Sequence, residues 1–279
     1  MVTNLDKPAG RGMKMTPSPV KKAALELGLE VIQVARARDP ELHERITEIA
    51  PDIAVVVAYG SILPKRLLDL PRKGFVNLHF SLLPLYRGAA PVQRAIMNGD
   101  EVSGASVMVL TEGMDEGPVL ALEELGIGYD DTTRSYGERL ARQGAPLLVE
   151  TVRSFVDGGL VPEPQDDSAA TYAPKLTTED ARIDWTASSE RIHDLVRALD
   201  PDPGAWTTLM GTRLKVFKAI PVEAPSLAAG QPAVLDGLVV GTGDGAVRLD
   251  EVQPATKRRM DGSDFARGLR LAGTERMGE

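Results

Sequence analysis

Residues 53–80 read IAVVVAYGSILPKRLLDLPRKGFVNLHF, and the stretch IAVVVA is apolar at six consecutive positions. A strand with one face in water alternates apolar and polar residues, whereas one covered on both faces has no reason to. Residues 53–60 therefore read as a central strand of a mainly parallel sheet. PKRLLDLP follows as a short helix and GFVNLHF as the next strand. A strand, a helix and a second strand in succession form the repeating step of a doubly wound α/β fold.

The same alternation extends in both directions over residues 1–157. Upstream, SPVKKAALELG predicts a helix with Ser18 as N-cap, Pro19 in the first turn and Gly28 past its end. EVIQVA reads as a strand and DPELHERITEIA as a second helix opened by Asp39 and Pro40. Downstream come a helix at APVQRAIMNG, a strand at GASVMVLTEG, and a long amphipathic helix capped by Thr132 or Thr133 and ended by Gly158 and Gly159. Residues 158–178, rich in Pro, acids and small polar residues without a period, read as a linker. Residues 179–279 change character: a helix near SSERIHDLVRALD precedes short strands, with Asp-Gly hairpin signals at 236–237 and 244–245. A small β-barrel or sandwich fits that pattern.

Composition narrows the function classes. The 279 residues are 43% hydrophobic and 26% charged, enough apolar content to fold into a larger domain and a smaller companion. The absence of cysteine removes disulfides and thiolate chemistry and suits a reducing cytoplasm. No apolar run approaches the roughly 20 residues that span a bilayer, so neither a membrane segment nor a signal peptide is expected. A net charge of −8 argues against indiscriminate nucleic-acid coating. Two basic stretches run against that sum: Lys7, Arg11, Lys14, Lys21 and Lys22, and Lys257, Arg258 and Arg259. Either is also consistent with a solvated loop.

Ligands of a parallel α/β sheet bind at the carboxyl ends of its strands. Three loops qualify here, supplying SILP, FSLLPLYRGAAP and MDEGP. Asn77 and His79 are two apart and share one face of their strand, and Asp115 lies in the third loop. An imidazole can take a proton from an attacking amine. An asparagine amide can donate to an oxyanion, worth roughly 3 kcal/mol. A carboxylate beside the imidazole fixes its tautomer. Together they suit acyl transfer to an amine without a covalent intermediate. The plainer alternative stays open: a satisfied polar histidine at a strand end and an asparagine capping a turn. A metal site is not expected, because the histidines at 43, 79 and 193 have no common spacing. GTGDG at 241–245 reads as a hairpin, Ser61 and Ser81 as loop hydroxyls, and Trp185 and Trp206 as packing residues.

FVNLHFSLLPLYRGAAPVQRAI strongly resembles the signature of the methionyl-tRNA formyltransferase family, within the formyltransferases that use 10-formyltetrahydrofolate. DKPAGRGMKMTPSPVK, VVVAYGSILPKRLLDLP, EGMDEGPVL, ARIDW and VVGTGDGAV agree, in the family's order, from residue 3 to about residue 270. The resemblance implies a Rossmann-like formyltransferase domain over 1–157 and an OB-like, tRNA-binding barrel over 179–279. It also implies a chain that works as a monomer on methionyl initiator tRNA with 10-formyltetrahydrofolate and no metal. Asp115 follows His79 by thirty-six residues, the spacing of that group. By resemblance, Asn77 stabilises the tetrahedral intermediate, His79 handles the amine proton, and Asp115 positions His79. Ser81, Leu82, Leu83 and Pro84, the backbone near Ile62, Leu63 and Pro64, and the loop Glu112–Asp115 with Gly113 would hold the folate. Arg11 and Lys14 in the PAGRG region, with Arg87, would meet the tRNA, and Lys257, Arg258 and Arg259 could add phosphate contacts. The alternatives are formyl transfer to a small sugar or nucleotide amine, and an inactive RNA-binding remnant.

The sequence departs from the family in one respect. Members resembling it begin about thirty residues earlier, with a strand, a GTP-containing turn and a helix. That strand is the innermost one of a doubly wound sheet, and without it two neighbouring strands would each expose an edge. A late start codon, a truncated chain or a rearranged sheet would each account for the departure, and the first is preferred because the site residues are intact.

Overall fold

A computed structural model describes residues 1–9, 12–224 and 226–279. The first elements are β1 (Val2–Thr3), β2 (Lys7–Ala9), β3 (Lys14–Thr16), α1 (Pro19–Glu26), β4 (Ile32–Gln33), α2 (Pro40–Ile49), β5 (Ala54–Val56), α3 (Lys65–Leu68) and β6 (Phe75–His79). Then come β7 (Arg87–Gly88), α4 (Pro91–Asn98), β8 (Val102–Val109), β9 (Val119–Gly126), α5 (Thr133–Val156), β10 (Tyr172–Ala173) and α6 (Ser189–Ala198). The last are β11 (Ala205–Leu209), β12 (Thr212–Val222), β13 (Pro232–Leu235), β14 (Gly237–Gly241), β15 (Ala246–Pro254), β16 (Met260–Asp261) and α7 (Gly262–Arg267). Among the described residues no helix is long and apolar enough to cross a membrane.

The helix signals work as the sequence states them. Ser18 accepts from the Lys21 backbone N–H and Asp39 from that of Glu41, each with proline in the first turn. Thr132 caps α5 through the Ser135 N–H, and Ser188 caps α6 through that of Arg191. Lys21 is held between the Asp6 carboxylate (2.9 Å) and the Gln33 carbonyl (2.6 Å), so it does not contribute a free cation to the basic N-terminal stretch.

Backbone proximity divides the chain into two compact units: Met1–His79 with Ala105–Glu123 and Gly144–Ala170, and Phe80–Gly104 with Glu124–Gln143 and Thr171–Glu279. The first is α/β and Rossmann-like. β1 pairs with β4 and β5 with β6, both parallel, each pair joined by a helical crossover. The strand order of the larger sheet is β5-β6-β8-β9, and β1 and β4 form a sheet of their own. Ala54, Val56, Val2 and Ile32 pack against one apolar cluster built from Val34, Leu42, Ile46, Leu63, Leu67 and Phe75.

Two sequence-based expectations need correction in this unit. The stretch 53–60 is not a doubly covered central strand. β5 spans three residues and, among the described residues, pairs on one side only, leaving Val55 and Val57 47% and 45% exposed. β8 runs antiparallel to β6, and VLALEELG, directly after Gly117 and Pro118, forms a further strand, β9. Within the stretch 158–178, read as a linker, Glu163 and Val119 exchange two backbone hydrogen bonds of 2.8 Å.

The second unit holds a curled antiparallel sheet, a half-barrel of order β11-β12-β15-β14-β13 with β16 on β15. Register shifts where β12 passes β15, between Val216 and Ala219, mark bulges that strengthen the curl. Both Asp-Gly pairs form the tight turns expected, between β13 and β14 and between β14 and β15. Trp185 lies in the core of this sheet and donates its indole N–H to Thr207 Oγ1 (2.9 Å). Trp206 is half-buried, with the guanidinium groups of Arg182 and Arg213 at 5.8 Å and 4.2 Å from its ring.

Candidate active site

β6 forms because Phe75, Val76 and Leu78 are buried while β5 and β8 satisfy its backbone on both edges. Pleating then sets Asn77 and His79 on the face opposite Val76 and Leu78. The Leu78 face is covered by α5, which comes so close that a Cβ at Gly144 would lie 3.0 Å from a Leu78 methyl. The helix fixes which way the strand faces. Asn77 stands between Val56 and Met108, and His79 stands opposite Ser106. His79 is only 6% exposed, whereas Asn77 is half-buried and, among the described residues, its side-chain amide is engaged in no hydrogen bond.

Asp115 reaches His79 by an unexpected route. Since β8 is antiparallel to β6, Val109 lies opposite Val76 and the Leu110 N–H bonds to the Phe75 carbonyl. The third loop therefore leaves from the opposite end of the sheet to the loop after β6, and the three loops do not all emerge at one end. The chain nonetheless places an Asp115 carboxylate oxygen 3.7 Å from His79 Nδ1. Within a few residues the loop travels the length of β6, about 3.3 Å for each strand residue passed. Two features make that return possible. Asp115 adopts a left-handed conformation (φ +53°), and Gly117 passes so near Val109 that a Cβ would sit 1.9 Å from its carbonyl oxygen. Outside that neck Gln165 Nε2 donates to the carbonyls of Asp115 (2.8 Å) and Gly117 (2.7 Å). At 3.7 Å the histidine and aspartate make an electrostatic contact longer than a hydrogen bond.

The remaining sequence-derived positions divide between the units. In the first, Ile62 is 76% exposed beside Leu63, which anchors the loop in the apolar cluster, and Tyr59 next to them has its phenol pushed up by burial. Gly113 is crossed by the Glu116 side chain. Lys14 is exposed on the β2–β3 hairpin, and Arg11 lies outside the described residues. In the second unit, Ser81 is buried and donates to the Leu85 carbonyl (2.6 Å), Leu82 and Pro84 are half-buried and Leu83 buried. Arg87 is 3% exposed, and its strand, β7, pairs with Tyr172 and Ala173. Arg259 is engaged, 3.3 Å from the Phe217 ring and 2.8 Å from Asp200, whereas Lys257 and Arg258 are exposed. Sequence reasoning missed Gln165. It lies among prolines and acids in a stretch without period, and nothing local distinguishes it from a solvated linker residue.

Residues 1–152 match the family described as formyl transferase, and residues 175–270 match the formyl transferase C-terminal domain. A methionyl-tRNA formyltransferase of Streptomyces coelicolor is 48% identical over 281 aligned residues, covering 100% of this chain and 91% of that protein. The chain belongs to the methionyl-tRNA formyltransferase family. Solved structures repeat the fold at lower identity. HypX of Aquifex aeolicus, in complex with tetrahydrofolic acid, has a TM-score of 0.65 at 21% identity over 87% of this chain and 43% of that one. An N-formyltransferase of Helicobacter canadensis, in complex with folinic acid and dTDP-3-aminofucose, has a TM-score of 0.62 at 16% identity over 92% of this chain and 98% of that one. The unengaged amide of Asn77 and the buried imidazole of His79 with its carboxylate suit formyl transfer to an amine. The same groups fit a formyl-tetrahydrofolate: an amide donor for the formyl oxygen, and an exposed apolar side chain, Ile62, beside backbone groups for a flat heterocycle.

Proposed function

We propose that this chain transfers the formyl group of 10-formyltetrahydrofolate to the α-amine of methionyl initiator tRNA, and that His79, on the strand bearing Asn77, carries the reaction with Asp115, whose loop holds its carboxylate 3.7 Å from the imidazole. The formyl-tetrahydrofolate, when bound, supplies an electrophilic formyl carbon on a nitrogen leaving group. An α-amine, with an ordinary pKa near 8, is substantially neutral and nucleophilic at physiological pH. Attack builds positive charge on the amine nitrogen and negative charge on the formyl oxygen. His79 accepts the proton from that nitrogen, and its burial keeps water from competing for the imidazole. Asp115 holds the ring's orientation while the proton is in transit. The Asn77 amide donates to the formyl oxygen. The returned proton leaves on the folate nitrogen as its bond to the formyl carbon breaks, so that no acyl-enzyme is required.

The folate contacts proposed are the backbone at Ile62 and Leu63, the loop at Gly113, and the Ser81–Leu82–Leu83–Pro84 segment. For the tRNA, the hairpin carrying Lys14, with Arg11 between its strands in sequence, is the proposed contact, and the half-barrel supplies a second. The functional domains proposed are 1–157, a linker at 158–178 and 179–279. Identity that extends across the entire chain, C-terminal region included, favours a tRNA substrate over a small amine. The test is formylation of charged initiator tRNA with 10-formyltetrahydrofolate against a free amino sugar nucleotide: faster transfer to the tRNA supports the reading, and transfer to the sugar alone overturns it.

A further inference from the structure

Gln165 belongs to a stretch whose composition suggests only a connection, yet both protons of its side-chain amide are spent on the loop that carries Asp115. Its Nε2 lies 2.8 Å from the carbonyl oxygen of Asp115 and 2.7 Å from that of Gly117. The residue arrives there because Glu163, two positions earlier, is bonded to Val119 at the foot of the loop, which fixes the direction in which the chain continues. One amide nitrogen thus holds two carbonyls on either side of Glu116.

The loop needs an external hold. A non-glycine residue in the left-handed region is strained, and Asp115 is such a residue. The loop must also return along β6 from the far end, with Gly117 pressed against the Val109 carbonyl. A loop this far from its relaxed path would place its carboxylate loosely if its own backbone were all that held it. A displacement of about 1 Å in a reacting group can cost roughly 100-fold in rate. From this geometry we infer that Gln165 is a positioning residue: by clamping the Asp115 and Gly117 carbonyls it keeps the Asp115 carboxylate against His79. The inference rests on the reading of His79 and Asp115 as the reactive pair.

Glutamate is the informative replacement, since it keeps the length and volume of glutamine but, ionised, can only accept hydrogen bonds and would face two carbonyl oxygens. Gln165→Glu is expected to lower kcat between about tenfold and 100-fold, with each substrate's KM changed less than about threefold. In an Asp115→Asn background the same substitution should change kcat less than about twofold, because a residue acting through Asp115 has little left to lose. A packing defect would instead cost the same in both backgrounds, and that result overturns the inference. A second readout does not depend on turnover. The chain has three histidines, so the His79 ring resonances can be assigned by deletion. Gln165→Glu should shift them and leave those of His43 and His193 in place. If kcat and the His79 resonances both stay unchanged, the inference falls. If the unsubstituted chain forms no formyl-methionyl-tRNA, the proposed function fails, and the ring resonances alone decide whether Gln165 positions the pair.

Discussion

β5 and β14 are built from nearly the same material and end in opposite states. AVV in β5 and LVV within β14 are both apolar runs of the kind a doubly covered strand requires. β14 has β13 on one side and β15 on the other, and Leu238, Val239 and Val240 are all buried. β5 has β6 alone, and Val55 is left half exposed. An apolar run states what a strand needs on its faces. Whether it is met depends on neighbours supplied by other parts of the chain. The second unit spends its apolar residues on a curled, mutually supporting sheet. The first combines a thinly covered edge with a densely constrained site one strand away.

If the comparison is sound, the two regions respond to different measurements. Substitutions on β6 should abolish chemistry without unfolding the chain. His79→Ala is expected to lower kcat by between about 10²- and 10⁴-fold, with the melting temperature nearly unchanged, and Asn77→Ala by about 10²- to 10³-fold. In the half-barrel the pattern reverses. Leu249 is fully buried opposite Leu238, and Leu249→Ala should destabilise by about 2–5 kcal/mol in denaturant titration while kcat of the folded fraction holds. A His79 variant that melts early, or a Leu249 variant that stays folded but loses kcat, would break the contrast.

The half-barrel was legible in the sequence because its signals are local: two Asp-Gly turns, short runs of strand length and a capped helix at Ser188. So were the helices opened by Ser18 and Asp39, and the Asn77–His79 face, which follows from a spacing of two. What could not be read were relations between distant segments. No residue of GASVMVLTEG announces that β8 runs antiparallel to β6, because strand direction is set by the connection and not by side-chain pattern. The return of the Asp115 loop depends on Gly117, Val109 and Gln165 meeting in space, and the enclosure of Arg87 depends on Tyr172 and Ala173 arriving from far along the chain. The apolar pattern of β5 was read correctly, but the pattern cannot report whether both neighbours are present.

Ionisable groups sharpen the contrast more gently, since those most displaced lie in the second unit. The Thr177 backbone N–H and hydroxyl, helped by the Arg94 guanidinium, hold the Asp180 carboxyl at about 2, below its ordinary value near 3.9. A depressed carboxyl contributes stability above its unfolded pKa and loses it as pH falls through the folded one, so this contribution should fade between about pH 4 and pH 2. Burial pushes the Tyr136 phenol up to about 12, while its hydroxyl donates to the Leu125 carbonyl (2.8 Å). A raised phenol contributes below its unfolded pKa near 10 and loses that contribution as pH rises toward 12. Asp180→Asn should flatten the acid side of a melting curve against pH, and Tyr136→Phe the alkaline side. If neither substitution alters its own side, the burial and hydrogen bonding described here do not govern the pH dependence of this unit.

The smallest effect gives the cleanest comparison, because one substitution can be made in both strands. Threonine replaces a valine methyl with a hydroxyl at almost the same volume, so cavity effects cancel and burial of the polar group remains. Val239, 4% exposed in the middle of β14, has no room to hydrate that hydroxyl, and Val239→Thr should cost about 1–3 kcal/mol. Val55 keeps nearly half its surface in water, so Val55→Thr should shift stability by less than about 0.5 kcal/mol. Denaturant titration of the two variants side by side measures the difference directly. Equal costs would mean that Val55 is covered in solution, and that β5 is the doubly covered strand its sequence describes.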